Sequence, residues 1–221
     1  FGKGEAACRP LIAKRSLSQA FVDPALAYLS GKACKLRFNQ RIREISSAGY
    51  SVNAIEATDT VEIGKTDAVI LAVPPVTAGQ LVSDLVVPNA FQTIVNGHFR
   101  ICGKLPETSF IGVVGGTADW LFVRGDVVSV TISAASKLSE KSETEIADSM
   151  WADISLIFGL DVSSRGPCRI IKEKRATFEQ TPEQVARRPA TMVGFANMFL
   201  AGDWTNTGLP ATIEGAVRSG I

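Results

Sequence analysis

One apolar run, closed by two prolines, constrains the fold of this chain more than any other feature. Residues 68–73 read AVILAV, and Pro74 and Pro75 follow directly. A strand that is apolar at every position, and not only at every second one, is typical of a parallel sheet that helices cover on both faces. Proline has no backbone N–H to give to a strand ladder, so the strand is expected to end there. The sequence therefore predicts a mixed α/β fold.

A second strand, near the end of the chain, leads into a helix. Residues 199–220 read FLAGDWTNTGLPATIEGAVRSG, in which an apolar segment ends at Gly202 and Asp203 and a polar loop follows. Ligands of open α/β sheets bind just beyond the carboxyl ends of the strands, and a short carboxylate there accepts hydrogen bonds from sugar hydroxyls. Asp203 is therefore a candidate binding residue. The alternative is that Asp203 only satisfies the backbone donors of an ordinary helix cap.

The start of that last helix provides further candidate binding groups. Pro210 suits the first turn of a helix, where its missing N–H costs nothing. The backbone amides of Ala211, Thr212 and Ile213 would then be free donors at the positive end of the helix dipole. Such donors can hold an anion or a partly negative carbonyl.

The middle of the chain reads as a β-rich block with one well-marked helix. Gly125 and Asp126 separate two apolar strands and predict a tight hairpin. Ser142 and Glu145 form a capping box ahead of an apolar stripe that Gly159 ends, which predicts a helix. Earlier segments predict a helix within residues 16–31, strands within residues 34–73 and a helix at 77–86; the β-rich segments are residues 92–101, 109–116, 118–135 and 167–178.

Composition excludes several classes of function. Of 221 residues, 46% are hydrophobic, which is ample for a packed core, and 23 Lys and Arg balance 22 Asp and Glu. That balance predicts no nucleic-acid partner. One histidine and four dispersed cysteines argue against a metal site or a disulfide framework, and they favour a reducing, cytoplasmic location. Residues 68–76, the longest apolar run, are too short to cross a bilayer.

Three segments resemble one known family. Residues 200–220, 65–75 (KTDAVILAVPP) and 170–189 (IIKEKRATFEQTPEQVARRP) look like the C-terminal half of the FAD-dependent amine oxidase and phytoene desaturase superfamily. Within it they most resemble the hydroxysqualene dehydroxylase branch of hopanoid biosynthesis. The resemblance covers essentially the whole chain, and the terminal motif is its most specific part.

The resemblance implies FAD as cofactor and assigns residues to it. Gly202 and Asp203 would contact the ribityl or phosphate part of FAD, and the backbone from Pro210 to Ile213 would face the pyrimidine edge of the flavin. Donors at a helix start stabilise the negative charge of reduced flavin. Ile42 would pass the adenine, and Val73 and Pro74 would flank the dinucleotide. The alternatives are a core isoleucine and a plain strand end.

The chain departs from the family in one respect. The FAD domain of the superfamily opens with a βαβ unit that carries G-x-G-x-x-G, and this chain contains no such unit. Together with the absence of an initiator Met, this predicts a fragment. The expected organisation is part of a Rossmann-like FAD-binding domain at residues 1–77, a β-rich substrate-binding domain at 78–180 and a return to the FAD-binding domain at 181–221.

By the same resemblance, the β-rich block would hold an apolar isoprenoid. Phe99, Trp120 and Phe122 are candidates to line that site, although aromatic residues on strands are usually core. His98, the single histidine, could protonate a leaving hydroxyl, or it could be a hydrogen-bonded scaffold residue. Lys172, Lys174 and Arg175 form either a solvated strand face or a weak steering patch for NADPH or lipid phosphate.

The reaction that the resemblance implies is the delivery of a hydride from reduced flavin to an allylic carbon as a hydroxyl leaves, which yields squalene. NAD(P)H or another donor would reduce the flavin, and the apolar substrate implies peripheral contact with the inner face of a membrane. A carotenoid-type desaturase and an amine oxidase are the alternatives within the superfamily. A non-catalytic lipid-binding or subunit module is the alternative of another class.

Overall fold

The structure, a computed structural model, describes residue 4 and residues 12–107 and 109–221. The chain divides into two compact units. Unit 1 comprises Phe1–Leu36 and Thr93–Glu173, and unit 2 comprises Arg37–Gln92 and Lys174–Ile221. The chain thus passes between units after residues 36, 92 and 173, whereas the sequence suggested boundaries after residues 77 and 180. Cys8, one of the four cysteines, lies outside the described residues.

Ten strands and six α-helices are described. The strands are β1 (Glu44–Ala48), β2 (Ser51–Glu56), β3 (Thr60–Glu62), β4 (Val69–Leu71), β5 (Phe91–Arg100), β6 (Ser109–Gly112), β7 (Trp120–Arg124), β8 (Val127–Ile132), β9 (Cys168–Phe178) and β10 (Met198–Leu200). The helices are α1 (Asp23–Gly31), α2 (Pro75–Leu81), α3 (Ser136–Ser139), α4 (Glu143–Phe158), α5 (Pro182–Ala186) and α6 (Ile213–Arg218). A π-helical turn, Ser18–Val22, precedes α1, and Val162–Ser164 form a 3₁₀ turn.

Unit 1 is built on a five-stranded sheet with the strand order β6-β7-β8-β5-β9. The hairpin between β7 and β8 turns at Gly125, whose φ of +60° is one that glycine adopts without strain. Strand residues alternate between buried and partly exposed, with Val95, Phe99 and Leu121 among those fully buried. One face of this sheet therefore belongs to the core, and the other carries the intermediate positions.

Helix α4 covers the core face of that sheet. Its predicted capping box is present, because Ser142 Oγ accepts from the Glu145 amide and the Glu145 carboxylate accepts from the Ser142 amide. Gly159 ends the helix in the left-handed conformation, as predicted. Met150 and Ile154 of the helix are fully buried in the same core cluster as the strand residues.

Unit 2 contains the two strands that the sequence singled out. Strand β10 pairs with β4 in parallel, with Phe199 opposite Ile70. An antiparallel sheet, β1-β2-β3, lies in the same unit. Its core includes Val52 of β2, Leu200 of β10 and the indole of Trp204, which is 2% exposed. The loop after β10 is thus anchored in the core by an aromatic residue.

Three local expectations differ from the structure. Ile70 is 68% exposed, so β4 is buried on one face and not on both within the described part of the chain. Ile42 precedes the first strand, which begins at Glu44 and not earlier. Helix α6 begins at Ile213, so Pro210 lies ahead of its first turn; the Thr212 side chain caps the helix by accepting from the Gly215 amide.

Among the described residues, none of the helices combines the length and apolarity needed to cross a membrane.

Candidate functional site

A cavity of about 360 Å³ opens in unit 2 where the two parallel strands end. The segment after β4 and the segment after β10 both contribute to it, as the rule for ligand positions in open α/β sheets requires. The first residue of β5, the end of β9 and one residue of α6 complete the wall. The lining residues are Ala72, Val73, Pro74, Pro75, Phe91, Arg175, Ala176, Thr177, Phe178, Ala201, Gly202, Asp203, Trp204 and Ala216.

Asp203 supplies the carboxylate of this cavity. Burial raises its pKa above the usual range, and the backbone amides of Asp203 and Trp204 and the charge of Arg188 act in the opposite direction. Within the described residues, no side chain donates a hydrogen bond to the carboxylate. A partly buried acceptor of this kind suits a hydroxyl donor and repels an anion such as phosphate.

Gly202 allows the chain to turn sharply into the cavity. Its φ is +149°, and a Cβ atom built on it would lie 2.5 Å from the indole nitrogen of Trp204. That nitrogen donates to the backbone oxygen of Val73 at 2.9 Å. The Gly202 amide in turn donates to Ser219 Oγ of the segment after α6 at 2.7 Å. Gly202 therefore permits the contact that joins the ends of the two strands.

The buried side chain of Arg188 forms hydrogen bonds with the loop that follows β10. Its Nη2 atom donates to the backbone oxygens of Asp203 and Thr205, at 3.1 and 2.5 Å, and to Thr207 Oγ1 at 3.1 Å. The guanidinium lies 5.4 Å from the ring centroid of Phe178 and the residue is only 9% exposed. Three positions of the loop are thus fixed on one buried cation.

The start of α6 presents unused backbone donors. Within the described part of the chain, the amides of Ala211, Thr212, Ile213 and Glu214 donate to no acceptor. Gly215 makes the close approach of this helix possible, since a Cβ there would lie 2.8 Å from the Pro210 oxygen. The free amides expected at Ala211, Thr212 and Ile213 are therefore present, and Glu214 adds a fourth, although the helix itself begins at Ile213, three residues after Pro210.

The predicted cofactor residues fall into two groups. Val73, Pro74, Gly202 and Asp203 line the cavity together. Pro210, Ala211, Thr212 and Ile213 lie in the same unit but are not part of its lining, and Ile42 is a half-buried residue ahead of β1.

The predicted substrate residues lie in unit 1, around a different cavity. Phe122 and His98 line it, and Phe122 and Trp120 both contact Phe110, with ring centroids 5.0 and 4.6 Å apart. Phe99 lies on the other face of the sheet, where it is fully buried 5.9 Å from the ring of Trp151. Phe99 is thus part of the core and not of the cavity.

That second cavity, of about 650 Å³, is mainly apolar with a polar strip. His98 faces Ser129 across the strands, with 2.9 Å between His98 Nδ1 and Ser129 Oγ. Burial lowers the pKa of His98, and Arg169 and Arg124 lower it further. His98 is therefore mostly neutral near pH 7. The lining residues are Ile12, Ala13, Ser16, Leu17, Ser18, Asn96, His98, Phe110, Phe122, Arg124, Ser129 and Thr131.

Sequence reasoning missed three contributors to these sites. Arg188 stands in a polar connector beside Arg187, and no local pattern shows which of the two is buried. Arg175 belonged to a run read as a solvated strand face, yet it lines the cavity at Asp203. Asn96 could have been found, because it lies two residues before His98 and so shares its face of the strand.

Comparison with known proteins gives consistent results. A family model described as flavin containing amine oxidoreductase matches residues 2–221. Hydroxysqualene dehydroxylase from Zymomonas mobilis is 42% identical over 219 residues, which cover 99% of this chain and 53% of that protein. The protein of the same name from Rhodopseudomonas palustris is 42% identical over 219 residues, 98% of this chain and 52% of that protein. The chain thus spans about half the length of the curated relatives it matches.

Solved structures show the same fold. An oxidoreductase from Methanosarcina mazei superposes with a TM-score of 0.66 at 13% identity, over 91% of this chain and 52% of that one. At this identity the likeness concerns the mixed α/β architecture alone.

Proposed function

The chain belongs to the flavin-containing amine oxidoreductase family, and we propose that it supplies about half of an FAD-dependent enzyme that converts hydroxysqualene to squalene. The observation that carries this proposal is the 42% identity, over 219 residues, to hydroxysqualene dehydroxylase of Zymomonas mobilis. Unit 2 would be part of the FAD-binding domain and unit 1 would be the substrate domain.

The residues around Asp203 fit one part of FAD better than another. The carboxylate has no side-chain donor among the described residues, and an ionised carboxylate accepts hydrogen bonds and repels other anions, so it suits a ribityl hydroxyl and not a phosphate. Gly202, Val73 and Pro74 would form the wall beside it. The unused amides between Ala211 and Glu214 would hold the electron-rich pyrimidine edge of the ring.

When bound, reduced FAD supplies the hydride that replaces the hydroxyl group of the substrate, and the hydroxyl leaves with a proton as water. The reaction consumes one hydride and one proton for each C–O bond that is broken and each C–H bond that forms. His98 is the proposed partner of that hydroxyl. Because His98 is mostly neutral near pH 7, it would hold the hydroxyl in a hydrogen bond and would store a proton only at lower pH.

The remaining parts of the proposal concern the surroundings of the enzyme. NAD(P)H or another reductant would return the flavin to its reduced state. The substrate is an apolar isoprenoid that dissolves in membranes, so we propose a cytoplasmic protein that contacts the inner face of a membrane peripherally.

A half-exchange tests the function. The matching half of the Rhodopseudomonas palustris relative is replaced by this chain, and squalene formed from hydroxysqualene with FAD and NADPH is measured by gas chromatography. We expect the chimera to form squalene. The same chimera with Asp203→Asn should form squalene roughly tenfold more slowly, since a charge-assisted hydrogen bond contributes about 1.5–3 kcal/mol. A chimera that binds FAD but forms a more desaturated product would favour a desaturase instead.

A further inference from the structure

We infer that the apolar side of helix α1 in unit 1 is a docking surface for the other half of the enzyme, the part of the relatives' length that this chain does not match. The surface consists of Phe21, Val22, Ala25, Tyr28 and Leu29 and is termed the α1 stripe. The inference rests on the proposed function, because it names where this half of the enzyme contacts the other half.

The α1 stripe has the spacing of a helix side that faces a core. Counted from Phe21, its five residues stand at i, i+1, i+4, i+7 and i+8, and these positions share one side of a helix. An amphipathic helix of a globular protein turns such a side toward other protein. Here, however, Phe21 is 56%, Val22 50% and Tyr28 66% exposed. Within the described residues, the stripe therefore has the pattern of a core face without a core against it.

The segment that carries the stripe receives little support from the rest of unit 1. The π-helical turn has 5 residues and α1 has 9, and neither contains a buried residue. Leu26 is the one position between Ser18 and Gly31 that is not exposed. Isolated helices shorter than about 12–15 residues are only marginally stable in water. A partner that covers the stripe would supply the packing that this helix needs.

The length of the relatives indicates what this partner is. The 219 residues matched in the Zymomonas mobilis relative cover 99% of this chain and 53% of that protein. Nearly as much polypeptide again therefore belongs to the relative and is available to pack on the stripe. A surface that faces solvent in this chain would then be an internal contact of the longer protein.

The charges around the stripe indicate the chemistry of the partner surface. Lys14 and Arg15 precede the helix and Lys32 and Lys35 follow it, whereas Asp23 is the single acidic residue between positions 12 and 36. Complementary surfaces place opposite charges against each other. The matching surface of the other half is therefore an apolar groove with an acidic rim.

A lipid surface matches the segment less well. Helices that lie in a membrane interface carry Lys and Arg on their polar side. By helical spacing, the side of this helix opposite the stripe carries Gln19, Asp23 and Ser30, and the basic residues lie beyond the helix ends. A protein partner is thus the better match, and binding to lipid is an outcome that the test can detect.

Hydrogen exchange followed by mass spectrometry tests the inference. It compares the isolated chain with the chimera in which this chain replaces the matching half of the Rhodopseudomonas palustris relative. We expect the backbone amides of residues 23–31 to exchange roughly tenfold more slowly in the chimera, because a packed helix opens less often. Residues 143–158 of α4 should exchange alike in both proteins. Equal exchange of α1 in the two proteins would overturn the inference.

Tyr28→Ser separates docking from folding of unit 1. We expect this variant to lower the Tm of the chimera by roughly 3–6 °C, since it removes a large side chain from the contact, and to leave the Tm of the isolated chain unchanged. Leu156→Ser is the matched control, because it removes an 84% exposed apolar side chain from α4 of the same unit, and it should change neither Tm. A shift of the same size in the chimera and in the isolated chain would refute the docking role of Tyr28.

Other occupants of the stripe give a different result. The isolated chain is also measured with vesicles of phosphatidylcholine and phosphatidylglycerol, and at high protein concentration. Protection of α1 by either treatment, without protection in the chimera, would assign the stripe to a membrane or to a second copy and would overturn the inference. Neither FAD nor squalene formation enters these measurements. An inactive chimera with a protected α1 would therefore count against the proposed function alone, and an active chimera with an unprotected α1 against this inference alone.

Discussion

Arg188 Nη2 donates to the backbone oxygen of Asp203 at 3.1 Å, and so the buried cation of unit 2 fixes the loop whose carboxylate lines the cavity. The same nitrogen reaches Thr205 and Thr207. One guanidinium thus binds three positions of the loop. Moving any of them would deprive a buried charge of an acceptor, so the loop is held rigidly. The position of Asp203 therefore depends on a residue 15 positions earlier in the chain.

Arg188→Met should destabilise unit 2 and weaken FAD binding. Methionine keeps most of the length and the packing on Phe178 but provides no donor, so several buried backbone oxygens lose their partner. We expect a loss of about 2–4 kcal/mol in the free energy of unfolding, measured with urea. Arg187→Met is the matched control, since Arg187 is half-buried and its Nε atom donates to the backbone oxygen of Val87 at 2.9 Å. Equal losses in the two variants would show that Arg188 has no special role.

Gly202→Ala should disturb the turn at the strand end. A Cβ atom at this φ would lie 2.5 Å from the Trp204 indole nitrogen and would break its bond to Val73. We expect a loss of roughly 2–4 kcal/mol in stability. Gly103→Ala is an informative control, because Gly103 has nearly the same φ, +157°, and nothing within 4 Å of the added atom. Backbone strain alone should make the control lose roughly 1 kcal/mol, so similar losses would contradict the steric argument.

Ser142→Ala should shorten or fray α4. It removes the acceptor for the Glu145 amide, and such N-cap losses cost about 1 kcal/mol. Hydrogen bonds from the Ser142 side chain and backbone lower the pKa of Glu145. The stabilisation that the Glu145 carboxylate contributes to the capping box is therefore fully present above the ordinary pKa of a glutamate. It is lost as the pH falls through the lowered pKa of Glu145. Urea unfolding followed by circular dichroism should show that the variant's loss of stability becomes smaller at low pH. Ser149→Ala should show no such loss.

His98 should titrate below its ordinary pKa of 6.5, because burial, Arg169 and Arg124 all disfavour the charged ring. The chain has one histidine, so its ring signal in a proton NMR titration is unambiguous. In the window between the lowered pKa and 6.5 the unfolded chain binds a proton that the folded chain does not. Stability should therefore rise as the pH rises across that window, and the change should be smaller in His98→Gln. A ring that titrates at or above 6.5 would refute this.

Much of the fold follows from local chemistry that the sequence displays. The hairpin at Gly125 and the capping box at Ser142 require particular residues at fixed spacings, and both predictions are confirmed. The position of Asp203 beyond a strand end follows from the apolar segment before it. These features depend on residues that are close in the sequence, so they can be predicted from it.

Other features depend on partners distant in the sequence. The burial of Arg188, and not Arg187, is decided by a loop 15 residues later. Thr212 caps α6 two residues beyond Pro210, because its side chain accepts a hydrogen bond from the Gly215 amide. Adjacent strand residues point to opposite faces, so His98 and Phe99 could not both line one cavity. Which of them faces the core is set by α4, which covers one face of the sheet and begins 45 residues after His98.

FAD titration of the purified chain, followed by flavin fluorescence, tests the central claim most directly. We expect saturable binding that Asp203→Asn weakens about tenfold, as the loss of a hydrogen bond to an ionised acceptor implies. Asp59→Asn, at an exposed turn of the same unit, should bind FAD like the unaltered chain. If Asp203→Asn and the unaltered chain bind FAD equally well, or neither binds it, the loop at Asp203 is not a flavin site in this chain.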